Sequence, residues 1–345
     1  MTAAGSLIES DVVETRPFRA LARFLVMVLS SAALALITVL AIVFLVPDEN
    51  DYGLASNLKQ DRLNTLEGNK IALVGGSNLA FGIVSPIIEE VTDCPVVNMG
   101  MNGYFGVRYM LEEVKPALRK GDVVVLAFEW DNYFKSIDGS PANLFGVSKA
   151  NPRALGFMTW KQRLQAASIG IPLAARAKLR RMIVDTVAMI RTSGKPVRAN
   201  EAINEIESFA GFTPEGDLTS HVGVQWQGNI EQAVFSDHVD PEVIPVIADF
   251  AHEMEARGVR VVVSYTPYMA SAYAQRPEPI EQAYALVEAE LPGRSPRPPK
   301  DYLFDPSLFF DTVYHLNGDG RPIRSEQLAG DIINGNPVTC GGPAR

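Results

Sequence analysis

The sequence predicts an α/β fold, a doubly wound parallel sheet with a helical insertion and an N-terminal transmembrane helix. Three observations predict it. Short runs rich in β-branched residues alternate with helical stretches. A long uncharged run lies near the N-terminus, and one segment is too long to be a single crossover between strands. At 345 residues, with 47% hydrophobic and 21% charged, the chain is large enough to bury a sizeable core.

Residues 1–23 read as a cytoplasmic tail and 24–46 as the transmembrane helix, a run of 23 residues without a charge. At about 1.5 Å per residue it spans roughly 35 Å, against a hydrocarbon core of about 30 Å. A cleaved signal peptide has an apolar region of about 7 to 15 residues and a small-x-small site, and no such site directly follows Val46. Arg16, Arg19 and Arg23 precede the span, while Asp48, Glu49 and Asp51 follow it. Basic residues stay cytoplasmic and acidic ones count for little, so Glu9, Asp11 and Glu14 do not reverse the orientation. The expected location is the inner (cytoplasmic) membrane, single-pass, with the C-terminal domain periplasmic or otherwise extracytoplasmic.

Residues 47–68 are polar, punctuated by Pro47, Gly53 and Asn57, and read as a tether; the α/β domain then covers 69–335, and 336–345 form a tail. Four segments read as buried strands bounded by turn formers: KIALVGG (70–76), CPVVNMG (94–100), GDVVVLAFEW (121–130) and GVRVVVSYTPY (258–268). Helices are expected around 84–92, at 104–120 and at 240–258. The alternation implies right-handed crossovers and helices covering the sheet. The insertion, about 139–235, carries Lys161, Arg163, Arg176, Lys178, Arg180, Arg181 and Arg191. Such a surface suits anionic lipid or an anionic glycan; a solvated helix face is the plainer reading.

The net charge of −9 and pI near 5.1 argue against nucleic acid as a partner. An exported location permits Cys94 and Cys340 to pair, and two buried unpaired thiols are the equal alternative. P-loop and dinucleotide spacings are missing from VGGSNLAFG. His221, His238 and His252 form no metal-ligand pattern and read as surface or helix-packing histidines, so neither metal nor cofactor is expected.

In a parallel sheet, ligands bind at the carboxyl ends of the strands. Those ends carry Gly75-Gly76-Ser77-Asn78, Asn98 to Gly103, Glu129-Trp130-Asp131-Asn132 and Thr266-Pro267-Tyr268. Ser77 at the end of the first strand, entering a helix, would expose its hydroxyl and offer its N–H to an oxyanion. His315 is the candidate base and Asp311, four residues earlier, the candidate orienter of its imidazole.

These segments resemble the SGNH (GDSL-like) hydrolase superfamily, especially its membrane-anchored, envelope-polysaccharide acyltransferase-like branch, related to alginate acetylation proteins and the teichoic-acid D-alanylation protein. Ser77 in VGGSN matches the first block, Gly103 in NMGMNG the second, and Asp311 with His315 the C-terminal block, over about 69–335 apart from the insertion. The third block departs: Phe128-Glu129-Trp130-Asp131 replaces Gly-x-Asn-Asp, so the oxyanion-donating asparagine is missing from its place. Asn132, Asn102 or Asn78 would have to substitute, since a lost donor costs about 10² to 10³ in rate. The Asp-to-His spacing is one residue longer than Asp-x-x-His, with Asp305 as the reserve.

The resemblance implies a flavodoxin-like sheet and an extracytoplasmic serine acyltransferase or esterase acting on O-acyl groups, acetyl being expected, of an envelope or exported polysaccharide. Ser77, His315 and Asp311 would be catalytic. The N–H groups of Ser77 or Asn78 and of Gly103 would serve as oxyanion donors, with Asn78, Asn102 and Asn132 as the substituting side chains. A multi-span membrane acyltransferase is a candidate partner. The rivals are a non-catalytic scaffold binding glycan or such a partner, and a lipid esterase. Taken singly, Ser77, Gly100, Gly103 and Asp311 also suit turns and caps.

Overall fold

A computed structural model describes residues 15–46, 48, 51–191, 206–334 and 340. Most of the expected cytoplasmic tail, Pro47, Glu49 and Asn50 of the tether, 192–205 of the insertion and all of the C-terminal tail except Cys340 lie outside the described residues. In chain order the elements are α1 (Thr15–Leu45), α2 (Ala55–Thr65), β1 (Ile71–Gly75), α3 (Ser77–Gly82), α4 (Ser85–Thr92), β2 (Val96–Asn98), α5 (Val107–Val114), β3 (Val123–Ala127), α6 (Pro141–Ala150), α7 (Trp160–Gln165) and α8 (Ile171–Arg191). There follow α9 (Val243–Ala256), β4 (Arg260–Val263), β5 (Tyr268–Met269), α10 (Ala270–Gln275), α11 (Glu278–Glu290), β6 (Leu303–Phe304) and α12 (Gly320–Ile333).

The chain divides into two compact units, Met1–Asp48 with Ile171–Val197, and Glu49–Gly170 with Arg198–Arg345. In the first, Phe18–Leu45 of α1 is the one helix among the described residues long and apolar enough to cross a membrane. Its C-terminal end packs against α8, where the Lys178 ammonium meets the carbonyls of Val43, at 2.8 Å, and Val46, and the Asp48 carboxylate at 3.0 Å. The expected insertion is thus shared out: α8 belongs with α1, and α6 and α7 with the larger unit.

In the larger unit all four expected strands form one parallel sheet in the order β2-β1-β3-β4. Side chains of successive strand residues point to opposite faces. Ile71, Leu73, Val96, Val123, Val125 and Val262 pack on one face with Leu79, Ile88, Leu328 and Ile332 of α3, α4 and α12. The alternate residues Ala72, Val74, Val124, Leu126, Val261 and Val263 are buried towards the other face, where α5 packs on β1 and α9 on β4. Helices therefore cover both faces, which is why the strands read as continuous apolar runs. At the amino end of the sheet the buried Lys70 and Asp122 pair at 3.1 Å, tying β1 to β3.

Two expectations need correction. The helix expected over 104–120 is only α5, Val107–Val114, because Gly106 at φ 81° breaks the chain before it and Pro116 lacks the N–H to extend it. Residues 47–68 are no simple tether, since α2 within them packs on the sheet. Its buried face is Ala55, Ser56, Lys59, Gln60 and Leu63, a helical spacing hidden from hydropathy by polar side chains. The buried Lys59 ammonium donates to the carbonyls of Asn98 (2.8 Å), Gly100 (2.7 Å) and Gly216 (2.5 Å). Burial pulls its pKa down to about 7, against the Asp217 and Glu113 carboxylates, and these three acceptors compensate a desolvated amine.

Cys94 and Cys340 form a disulfide across a sequence separation of 246, and Cys340 packs on the core that holds Cys94. The bridge restricts the unfolded chain and holds Cys340 against the core that includes Ile88 of α4 and Leu328 and Ile332 of α12. Reduction, or Cys340→Ser, should lower unfolding stability by about 2–4 kcal/mol in denaturant titrations of the full chain in detergent. An unchanged midpoint would contradict the bridge.

Candidate active site

In the order β2-β1-β3-β4 the chain leaves β1 for one neighbour and later enters β3 on the other side, so a crevice opens between the ends of β1 and β3. Gly76, extended at φ −88° and ψ −153°, ends the first strand and caps α3, placing Ser77 at the first position of the helix. The Ser77 hydroxyl donates to Glu129 Oε1 at 2.8 Å, and the Asn78 N–H donates to the same oxygen at 3.0 Å. Glu129 comes from the end of β3, so this one carboxylate spans the crevice.

The neighbouring glycines are explained by that carboxylate. A Cβ on Gly76 would meet Glu129 Oε1 at 2.5 Å, and one on Gly103 would collide with Oε2. One on Gly100 would collide with Leu79 of α3. Any side chain at these positions would separate the first and second loops. Asn132 braces the third: its Oδ1 accepts from the Glu129 N–H at 3.1 Å and its Nδ2 donates to the Gly103 carbonyl at 2.8 Å.

The candidate donors therefore sort by geometry. The Asn78 amide donates to the Ala127 carbonyl at 2.9 Å and fastens α3 to β3, and Asn132 is committed to bracing. Neither lines the cavity in which Ser77 sits, so their side chains do not take the place of the missing asparagine. Asn102 and Gly103 do line it, Asn102 with its Oδ1 accepting from the Tyr104 N–H at 2.8 Å. Glu129, beside Trp130 in the polar loop that ends β3, is the residue that sequence reasoning passed over; its place in that loop, Glu129 to Asn132, was the available signal.

His315 lines the same cavity. Its ring lies flat on Phe81, with centroids 4.0 Å apart and planes 4° apart, and Phe81 is one turn beyond Ser77 on the same side of α3. Nδ1 meets Asp311 Oδ1 at 2.7 Å. With Nδ1–H donating to the carboxylate, the lone pair of the neutral ring is on Nε2. The extra residue in the Asp-to-His spacing is absorbed by a turn in which Thr312 Oγ1 accepts from the N–H groups of Tyr314 (3.1 Å) and His315 (3.0 Å). The loop is clamped from outside, the Glu231 N–H donating to the Asp311 carbonyl at 2.7 Å. Asp305 instead caps its own turn, accepting from the Ser307 N–H and hydroxyl, and does not reach the cavity.

Carboxylates dominate the cavity: Glu129, Asp131, Glu207 and Glu231 line it, facing Lys135 and His315. Burial, then the neighbouring Glu129 charge, pushes Asp131 up to about 6 despite its ion pair with Lys135. Burial likewise raises Glu207, with His315 opposing. Among the described residues no group of three or more His, Cys, Asp or Glu side chains is placed to hold a metal ion. Searches with protein-family models, curated proteins and solved structures give no match to this chain.

The histidines expected at the surface or in helix packing differ in place. His238 and His252 are exposed, but His221 is buried behind the cavity against Phe81 and Phe310. Its Nε2–H donates to the Leu316 carbonyl at 3.1 Å, and its Nδ1 has no partner. Burial first, then the Arg321 charge, lowers its pKa from 6.5 to about 4. The unfolded chain therefore takes up a proton that the folded site refuses, so this histidine's destabilisation sets in below pH 6.5 and is complete near pH 4. Asp131, raised on folding, runs with the opposite sign, so the informative quantity is a difference between variants. Stability curves of wild type and His221→Phe, superimposed at pH 7.5, should separate by about 2–3 kcal/mol at pH 4, the variant being the less acid-sensitive. Parallel curves would refute the burial of a neutral ring.

Proposed function

We propose that the larger unit is an SGNH-like serine acyltransferase or esterase of the cell envelope, acting through an acyl-serine intermediate. The observation that carries this reading is the sharing of one cavity by Ser77, on α3, and an Asp311-bound His315 whose ring stacks one helical turn away. The position between β1 and β3, at the carboxyl edge of a parallel sheet, supports it as the usual ligand crevice of such folds.

In the proposed reaction the Ser77 hydroxyl turns about χ1 from Glu129 towards His315 and attacks the acyl carbon. The Oγ–C bond forms as the Oγ proton passes to Nε2, while Asp311 holds the resulting imidazolium. Collapse of the tetrahedral oxyanion breaks the bond to the sugar oxygen, which leaves with the proton from Nε2. A second sugar hydroxyl or water then repeats the steps in reverse on the acyl-enzyme. The N–H groups of Asn78 and Gly103 are the candidate oxyanion donors; that of Asn78 is bonded to Glu129 in the substrate-free site, so the carboxylate must yield when the acyl oxygen enters. Acetyl esters of an envelope or exported polysaccharide are the favoured substrate. An anchored extracytoplasmic domain agrees with α1 and with a disulfide, which persists in oxidising compartments.

A second reading has one observation in its favour. With Trp130 in the asparagine's place and the neighbouring Glu129 bonded to the Asn78 N–H, the unit suits a non-catalytic scaffold that binds glycan or a multi-span acyltransferase. Fluorophosphonate labelling of the full chain in detergent separates the two. Wild type should label and Ser77→Ala should not, while His315→Ala should label about 10³–10⁴ times more slowly. Equal labelling of wild type and Ser77→Ala would leave the scaffold. Preference for long-chain esters over acetylated sugar in a substrate panel would point instead to a lipid esterase.

A further inference from the structure

The C-terminal part of helix α8 is apolar and exposed. From Met182 to Ile190 the only charge is Asp185, which pairs with Arg181 at 3.4 Å. Met182, Ile183, Val184, Val187, Met189 and Ile190 are all exposed, Ile190 by 72%. At about 100° per residue these side chains span roughly 220° of the circumference and leave free only the sector of Arg181, Asp185 and Ala188, an apolar arc about twice as wide as the usual core-facing stripe. An exposed apolar arc this wide suits hydrocarbon.

What adjoins this helix identifies the medium. Lys178 ties α8 to the end of α1, taking the Val43 and Val46 carbonyls that the last turn of α1 leaves without partners, together with Asp48. The junction marks where the apolar span stops and the polar chain begins. On the same helix Arg176 and Arg180, about one turn apart on either side of Lys178, are exposed, in a chain of net charge −9.

We propose that α8 is a second membrane-seated element, with Met182 to Ile190 in the acyl region of the leaflet at the C-terminal end of α1 and the exposed guanidiniums of Arg176 and Arg180 on anionic lipid headgroups. The occupant is lipid, and a protein partner covering the same side chains is the outcome that overturns the proposal. With α8 so seated, the first unit grips the bilayer at two places, and α1 no longer acts as a lone swivel.

The native cysteines are paired, so a third cysteine is the only free thiol in the full chain. Ile183→Cys and Ile190→Cys, each carrying an environment-sensitive fluorophore, would be compared in vesicles of phosphatidylcholine with phosphatidylglycerol. Leu36→Cys in α1 and Glu290→Cys at the exposed end of α11 are the references. Lipid-borne spin labels should quench positions 183 and 190 as strongly as 36, and a membrane-impermeant maleimide should modify them several-fold more slowly than 290. Omitting phosphatidylglycerol should weaken the quenching, and Arg176→Gln combined with Arg180→Gln should remove that difference. Behaviour like that of position 290 overturns the seating, whereas position 36 also behaving like 290 would overturn the span itself. In the unsubstituted chain, acyl-chain photolabels should attach between Met182 and Arg191; attachment confined to α1 would refute the proposal independently of any variant.

Discussion

The Glu129 carboxylate bonds at once to the Ser77 hydroxyl and the Asn78 N–H, and the rim of the sheet is built around it. It can reach across the crevice because Gly76 and Gly103 present no side chain to either of its oxygens. Asn132, bonded to the Glu129 N–H and the Gly103 carbonyl, holds the donor strand's exit and the second loop at a fixed spacing. A carboxylate beside a serine needs such over-determination, because an ionised group brought away from water is costly unless donors meet it.

The other half of the cavity rests on aromatic contact rather than on ionic pairing. Phe81 gives the His315 imidazole a flat floor, and Asp311 fixes which nitrogen bears the proton. Phe81 and Ser77 belong to the same short helix, so packing that seats α3 on the sheet sets both the proposed nucleophile and the floor under the base. Behind them, Lys59 gathers the carbonyls of Asn98 and Gly100, fixing the second loop from below. The disposition of α3, of the second loop and of the His315 loop is thus one coupled arrangement, not three independent ones.

The cavity's excess of carboxylates also bears on what it can admit. Asp131 pairs with Lys135, while among the described residues that line the wall His315 is the one other basic group beside Glu129, Glu207 and Glu231. A neutral ester enters such a space with little electrostatic penalty, whereas a polyanionic chain would have to present its charges elsewhere. That supports the proposed acetyl ester over a charged acyl group.

The sequence by itself determined the parallel sheet, its four strands and the apolar span, because buried strands and a membrane helix impose long-wavelength patterns of hydropathy that no local context erases. It also placed Ser77, Asn102, Gly103 and His315 at strand ends or in loops that share a cavity, and set Asp311 within reach of His315. Tertiary structure decided what depends on a partner distant in the chain. Glu129 acquires its role only when β3 lies beside β1; Asn78 and Asn132 are polar residues whose alternatives, donor or brace, differ by a side-chain rotation; and α2 hides a buried face because Lys59 and Gln60 find their acceptors on other elements. The pairing of Cys94 with Cys340, across 246 residues, belongs to the same class. Hydrophobic burial is additive along the chain and leaves its period in the sequence, whereas a hydrogen bond is a statement about two atoms and exists only once folding has set both in place.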